Sequence, residues 1–261
     1  NKVQTMANRL VETVRKQAER YGSREAYRFC WRKDGEWMST SWTEFSLQVD
    51  VAGKALATLG LLEKDRIAIC SPNTPQILIT EFGAFQNRLA SIPVYSSHQY
   101  PLAYNYWKRH PELLRIVVFK NDGLQVEPDD TVTMLWDDFV RLGMGAPRHI
   151  VAEVERRSER GVPDDMATLI YSSGAPGEPK GVCITHANYD AAIEAHLALL
   201  TSITDRDLSM AFLPMSHILE KAWCFYLISK GVAIAVNYDP RIIADTIHTV
   251  HPNLMCCVPR F

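Results

Sequence analysis

The chain has 261 residues, 47% hydrophobic and 22% charged, enough for one large buried core or two small ones. Its formal net charge of -2 supplies no basic excess to meet phosphates, which argues against a whole-chain nucleic-acid binder. No uninterrupted apolar run approaches the ~18 residues that span a bilayer, and the charged opening stretch lacks the apolar centre of a secretory signal. The expectation is a cytoplasmic protein, with contact at a membrane surface left open.

The first predicted element is an amphipathic helix with Leu10, Val14 and Ala18 on one face, ending near Tyr21-Gly22. A hairpin follows, 25–32 against 36–40, around Lys33-Asp34-Gly35, because Asp-Gly suits a tight turn needing positive φ. Ser41-Trp42-Thr43-Glu44 has capping-box spacing and opens a helix to about Leu59, with Gly60 placed to end it. Strands and helices then alternate. Predicted strands are 66–70, 92–95, 115–119, 168–171, 209–213, 232–236 and 254–258; predicted helices are 74–89, 189–202, 218–230 and 241–250. That rhythm predicts an α/β fold of mostly parallel sheets flanked by helices. The polar stretch 145–163 reads as a solvated connecting helix or linker. None of the six cysteines forms a C-x-x-C pair, and most lie in apolar runs, so they read as buried free thiols in a reducing compartment.

The most informative segment is Tyr171-Ser172-Ser173-Gly174-Ala175-Pro176-Gly177-Glu178-Pro179-Lys180-Gly181-Val182, between the strand at 168–171 and a further strand at 182–185. Glycines let backbone N–H groups approach phosphate oxygens, hydroxyls donate hydrogen bonds, and a lysine offers a compact positive charge. A Walker loop does not fit, because Lys180 is followed by Gly181-Val182 and returns to a strand instead of opening a helix. Composition alone leaves an ordinary Gly/Pro hairpin at least as good a reading.

The segment resembles the signature loop of the adenylate-forming superfamily, Tyr-Thr-Ser-Gly-Thr-Thr-Gly-x-Pro-Lys-Gly-Val. It matches at Tyr171, Ser173, Gly174, Gly177, Pro179, Lys180, Gly181 and Val182, and Thr185-His186-x-Asn188 follows as in that family. Ser172 keeps a hydroxyl where threonine is usual. Ala175 and Pro176 replace two threonines, removing two hydroxyl donors and one backbone N–H. Hydrogen bonds to a charged group are worth roughly 1.5–3 kcal/mol, so these two departures put full activity in question.

A second motif, Phe212-Leu213-Pro214-Met215-Ser216-His217-Ile218-Leu219-Glu220-Lys221, is similar to the acyl-site motif of the long-chain fatty acid–CoA ligase branch, as is the closing Val258-Pro259-Arg260-Phe261. Alone, His217 reads as a helix cap or core histidine. Joined to the loop, the resemblance implies that it meets the acyl carboxylate. Glu220 divides evenly between substrate site and structural ion pair. Trp223 is a candidate gate of the acyl tunnel, although a core tryptophan is the commoner case. Trp42-Thr43-Glu44, 65–69 and 92–95 extend the resemblance along the whole chain.

The resemblance therefore implies residues 1–261 as part of the large N-terminal AMP-binding domain of an acyl-CoA synthetase. ATP, Mg²⁺, coenzyme A and a long-chain fatty acid are its implied partners. Ser172, Ser173, Gly174, Ala175, Gly177 and Lys180 would hold the nucleotide, with Lys180 and His217 catalytic and His217, Glu220 and Trp223 on the acyl side. The family's later magnesium-binding and ribose-binding motifs and its small C-terminal domain are not among these residues, so the isolated chain is expected to be incomplete. A helix and strand that the family places after Tyr95-Ser96-Ser97 also look missing, since a βαβ crossover needs at least ~10–12 residues. Two other readings stand beside this one: a catalytically weakened nucleotide- or acyl-binding protein of the same fold, and an adenylating enzyme for another carboxylic acid.

Overall fold

The computed structural model describes residues 9–31, 35–94, 99–110, 112, 115–119, 126–172 and 180–259. In chain order the first elements are α1 (Arg9–Tyr21), β1 (Glu25–Phe29), β2 (Met38–Ser41), α2 (Trp42–Thr58), β3 (Arg66–Cys70), α3 (Pro75–Gln86), β4 (Ala90–Val94), α4 (Gln99–Arg109), β5 (Ile116–Val118) and β6 (Thr133–Leu135). Then come α5 (Trp136–Met144), α6 (Arg148–Glu159), β7 (Met166–Ser172), β8 (Lys180–Thr185), α7 (His186–Leu199), β9 (Leu208–Ala211), α8 (Ile218–Lys230), β10 (Ala233–Val236), α9 (Ile243–Val250) and β11 (Leu254–Met255).

Two mostly parallel sheets carry the fold. One has the order β11-β9-β10-β1-β2, the other β3-β4-β7-β8, and β5 pairs with β6 alone. In the first, β2 runs antiparallel to β1, as the hairpin reading expects; in the second, β8 runs antiparallel to β7. The remaining pairings are parallel. Parallel strands are covered on both faces, which is why β10 reads Ala-Ile-Ala-Val with little polar interruption.

Helices fill the space between the sheets. α8 packs on β9 and β10, and α3 on β4. They meet through Phe82, Phe85 and Phe225, with ring centroids 5.3 Å (Phe82–Phe225) and 6.0 Å (Phe85–Phe225) apart, and Tyr189 of α7 closes on Phe225 at 4.8 Å. Edge-to-face geometry of this kind suits aromatic quadrupoles. α1 buries Leu10, Val11 and Val14 in the same core. α2 begins as the sequence predicts: Ser41 Oγ accepts from Glu44 N–H, and the Glu44 carboxylate accepts from Ser41 N–H at 2.8 Å. Gly60, just beyond its end, takes φ +91°, a value open to glycine.

Three sequence expectations are corrected and one is met in part. The stretch 145–163 does hold a helix, α6, but one that is not wholly solvated: it lies against α2 and α3 and buries Val154 and Arg157. Arg157 reaches inward to donate to Leu61 O (2.8 Å) and Asn87 Oδ1 (3.2 Å) while Glu153 accepts from its Nε. The strand at 254–258 shortens to β11, two residues on the sheet edge. None of the six cysteines is in a disulfide, but only Cys30 and Cys224 are buried, while Cys183 and Cys257 are exposed. α4, β6 and α5 went unpredicted. The helix and strand expected to be missing after Ser97 are there as α4 and β5, although β4 takes β7 as its sheet neighbour instead of β5. No helix among the described residues is long and apolar enough to cross a membrane.

Candidate active site

In α/β sheets ligands bind beyond the carboxyl ends of parallel strands. Three of the turns that leave such ends concern the motifs. β3 runs into 71–73 and then α3, β7 into the glycine-rich loop and then β8, and β9 into 212–217 and then α8. β3 and β7 are both parallel to β4, so their turns share one edge of the sheet.

The turn after β9 is joined to that edge by one side chain. Asn73 donates through Nδ2 to Leu213 O at 2.8 Å and accepts from Met215 N–H through Oδ1 at 2.9 Å. The ladder between β9 and β10 gives out at Ala211, whose carbonyl takes Asn237 N–H at 2.9 Å. His217 then caps α8. Its N–H reaches Pro214 O at 2.9 Å and its carbonyl accepts Lys221 N–H at 3.1 Å, while its exposed imidazole makes no capping bond.

Glu220 lies one turn into α8 with no solvent exposure. Burial pushes its carboxyl up to about 8 against the pull of the Leu213 and Phe212 backbone, and Oε2 has no hydrogen-bond partner. Trp223 also faces inward, its indole N–H donating to Ser209 Oγ at 3.1 Å. Of the three residues expected on the acyl side, the fold therefore presents only His217 to the surface.

Next to Glu220, Lys221 makes a buried ion pair with Glu81 of α3, at 1% and 0% exposure. Ser91 Oγ donates to the same Glu81 oxygen at 2.7 Å, and Tyr189 hydroxyl donates to Thr168 Oγ1 of β7 at 3.1 Å beside it. α8 is thus wired through α3 and β4 toward the strand that feeds the glycine-rich loop. Sequence reading missed Asn73, Glu81 and Lys221. A lysine in the apolar run Ile-Leu-Glu-Lys-Ala-Trp-Cys-Phe was the available signal for a buried pair.

At the loop, Tyr171 pairs with Gly181 and Ser172 with Lys180, so the hairpin is zipped to its last described residues. Lys180 is exposed at its mouth. Residues 173–179, with Ser173, Gly174, Ala175, Pro176 and Gly177, lie outside the described residues. Beyond the hairpin, Thr185 and Asn188 form a second capping box opening α7. The His186 between them is buried, with both ring nitrogens unpartnered and its pKa pushed down to about 4 by burial. Among the described residues no group of three His, Cys, Asp or Glu side chains is placed to hold a metal.

Comparison with known proteins agrees with this architecture. The family model for the AMP-binding enzyme matches residues 14–261, and the chain belongs to that family. Long chain acyl-CoA synthetase 3 of Arabidopsis thaliana is 25% identical over 260 residues, covering 87% of this chain and 38% of the relative. Fatty acyl-CoA synthetase A of Dictyostelium discoideum is 26% identical over 251 residues, covering 87% and 37%. The chain thus spans under two fifths of the length of these relatives. Among solved structures, the apo structure of MbtA from Mycobacterium smegmatis superposes with a TM-score of 0.77 at 20% identity over 96% of this chain and 48% of that one. A putative long-chain-fatty-acid CoA ligase structure from Rhodopseudomonas palustris gives 0.73 at 16% identity, covering 96% and 63%.

Proposed function

We propose that the full-length protein activates a long-chain fatty acid with ATP, forming an acyl-adenylate and pyrophosphate, and then transfers the acyl group to coenzyme A with release of AMP. The observation that carries this reading is the tie between the His217 turn and the sheet that bears the other motif: Asn73, at the carboxyl end of β3, bonds both sides of Pro214, and the hairpin closed by Ser172 and Lys180 leaves the same edge of the β3 sheet. The family membership and the acyl-CoA synthetase relatives support the same class.

The first step sets an anion against a polyanion, so its physical demand is charge management. Lys180, exposed at the loop mouth, supplies positive charge toward the phosphates, aided by backbone N–H groups of the glycine-rich loop. Mg²⁺ would enter with the nucleotide; the described residues give it no ligand set of their own. His217, projecting from the α8 N-terminus, would meet the carboxylate, where the helix dipole also favours an anion. Chain-length preference would follow from methylene burial, about 0.8 kcal/mol per CH₂.

A second reading, a nucleotide- or acyl-binding protein of weakened catalysis, rests on Ala175 and Pro176, where hydroxyl and N–H donors are lost. Exchange of labelled pyrophosphate into ATP separates the two. Exchange that depends on added acid and grows with chain length supports the ligase. ATP binding without exchange for any acid supports the weakened protein, and exchange with aryl or amino acids alone would replace the fatty acid.

A further inference from the structure

We propose that Asn73 is a positioning residue for the acid-binding turn that carries His217. The inference rests on the reading of that turn as the carboxylate site, and goes beyond it in naming what sets its shape. The backbone from Leu213 to Met215 cannot continue the β9 ladder, because Pro214 has no N–H and the last rung to β10 is spent at Ala211. Its groups are nonetheless largely shielded from solvent, and shielded backbone groups need partners. Asn73 meets both, giving an N–H to Leu213 O and an oxygen to Met215 N–H, the two groups on either side of Pro214. A primary amide has the same donor and acceptor as a peptide unit, so the side chain acts as a one-residue strand laid along the turn.

Asn73 is itself held. It is 7% exposed, and it sits between β3 and the buried Thr74 that begins α3. The turn of one sheet thereby fixes the turn of the other, and His217 starts α8 two residues beyond Met215. No residue of shorter reach or single polarity does this. The substitution Asn73→Asp would keep an acceptor for Met215 N–H but set a carboxylate against Leu213 O, and Asn73→Ala would leave both groups unpaired.

The test uses Asn73→Ala and Asn73→Asp in the full-length protein, read in two ways. Kinetically, kcat/KM for the fatty acid in pyrophosphate exchange falls about ten- to hundredfold in both variants, since misplacement of about 1 Å costs on that order, while KM for ATP stays within about twofold. By hydrogen exchange, the Met215 amide loses protection in Asn73→Ala and retains part of it in Asn73→Asp. The proposal is overturned if the acid kcat/KM is unchanged, or if acid and ATP constants decline together in step with a lowered melting temperature. Should the unaltered protein adenylate no acid, the ligase reading falls on its own account. Met215 protection then decides for Asn73: loss in Asn73→Ala supports the clamp, and unchanged protection overturns it.

Discussion

Glu220 and His186 are both sealed inside the protein, and burial drives them in opposite directions along the pH axis. The Glu220 carboxyl rises from its ordinary 4.5 to about 8, so the folded state holds a proton that the unfolded chain releases above 4.5. Its contribution is fully present below 4.5 and is lost as pH rises toward 8, at ~1.4 kcal/mol per unit. His186 falls from 6.5 to about 4, so its contribution is present above 6.5 and is lost as pH falls toward 4. Between 4.5 and 6.5 the two slopes cancel, and from 6.5 to 8 Glu220 acts alone. Denaturant unfolding of Glu220→Gln at pH 6.5 and pH 8 should therefore show the variant gaining on the parent by about 1–2 kcal/mol over that interval. A pH-independent difference would mean that the carboxyl is ionised throughout. Lys180 is exposed at the mouth of the loop and outside the core, and the proposed ligase reading gives it a role toward the phosphates. Lys180→Ala should leave the melting temperature within about a degree or two and lower acid-dependent exchange by about 10²–10³-fold, the usual loss for a donor to developing charge.

At the scale of elements, α8 is fastened to α3 by Lys221 and Glu81. Breaking a buried pair strands one charge, so Lys221→Met alone should cost about 3–5 kcal/mol, while Lys221→Met with Glu81→Leu should recover much of that loss. A double-mutant cycle by urea unfolding measures it, and additive losses would show that the pair is not coupled. α5 crosses α2 at a glycine: a Cβ on Gly143 would stand 2.1 Å from the Val51 carbonyl oxygen. Gly143→Ala should destabilise by about 1–3 kcal/mol as the helices part, visible as a lowered urea midpoint at unchanged slope. These two examples mark where sequence reading stops. The start of α2 was legible because its capping box is local, with Ser41 and Glu44 one turn apart. The α8 limits were legible because an apolar run ends at a glycine. The Lys221–Glu81 pair and the seat of α6 were not, since their partners lie far along the chain: Lys221 is 140 residues from Glu81, and Arg157 is 96 from Leu61.

Across the whole molecule, the βα rhythm was enough to predict mostly parallel sheets with flanking helices. It was not enough to divide the strands between two sheets, because β1 and β2 join β9, β10 and β11 through pairings that no local pattern announces. The candidate site shows the same division. Lys180 and His217 were found by motif and lie exposed at the loop mouth and at the α8 N-terminus. Glu220 and Trp223 belong to the interior that supports His217, and Asn73, which ties that turn to the other sheet, carries no motif of its own. The architecture, the two turns and the family together make carboxylate attack on the α-phosphorus of ATP the central claim. Its most direct test follows heavy oxygen from a long-chain fatty acid labelled in both carboxylate oxygens, with ATP, Mg²⁺ and coenzyme A and the full-length protein. Attack at the α-phosphorus predicts one labelled oxygen in the AMP released and none in pyrophosphate; label in inorganic phosphate, or unlabelled AMP alongside acyl-CoA, would contradict it.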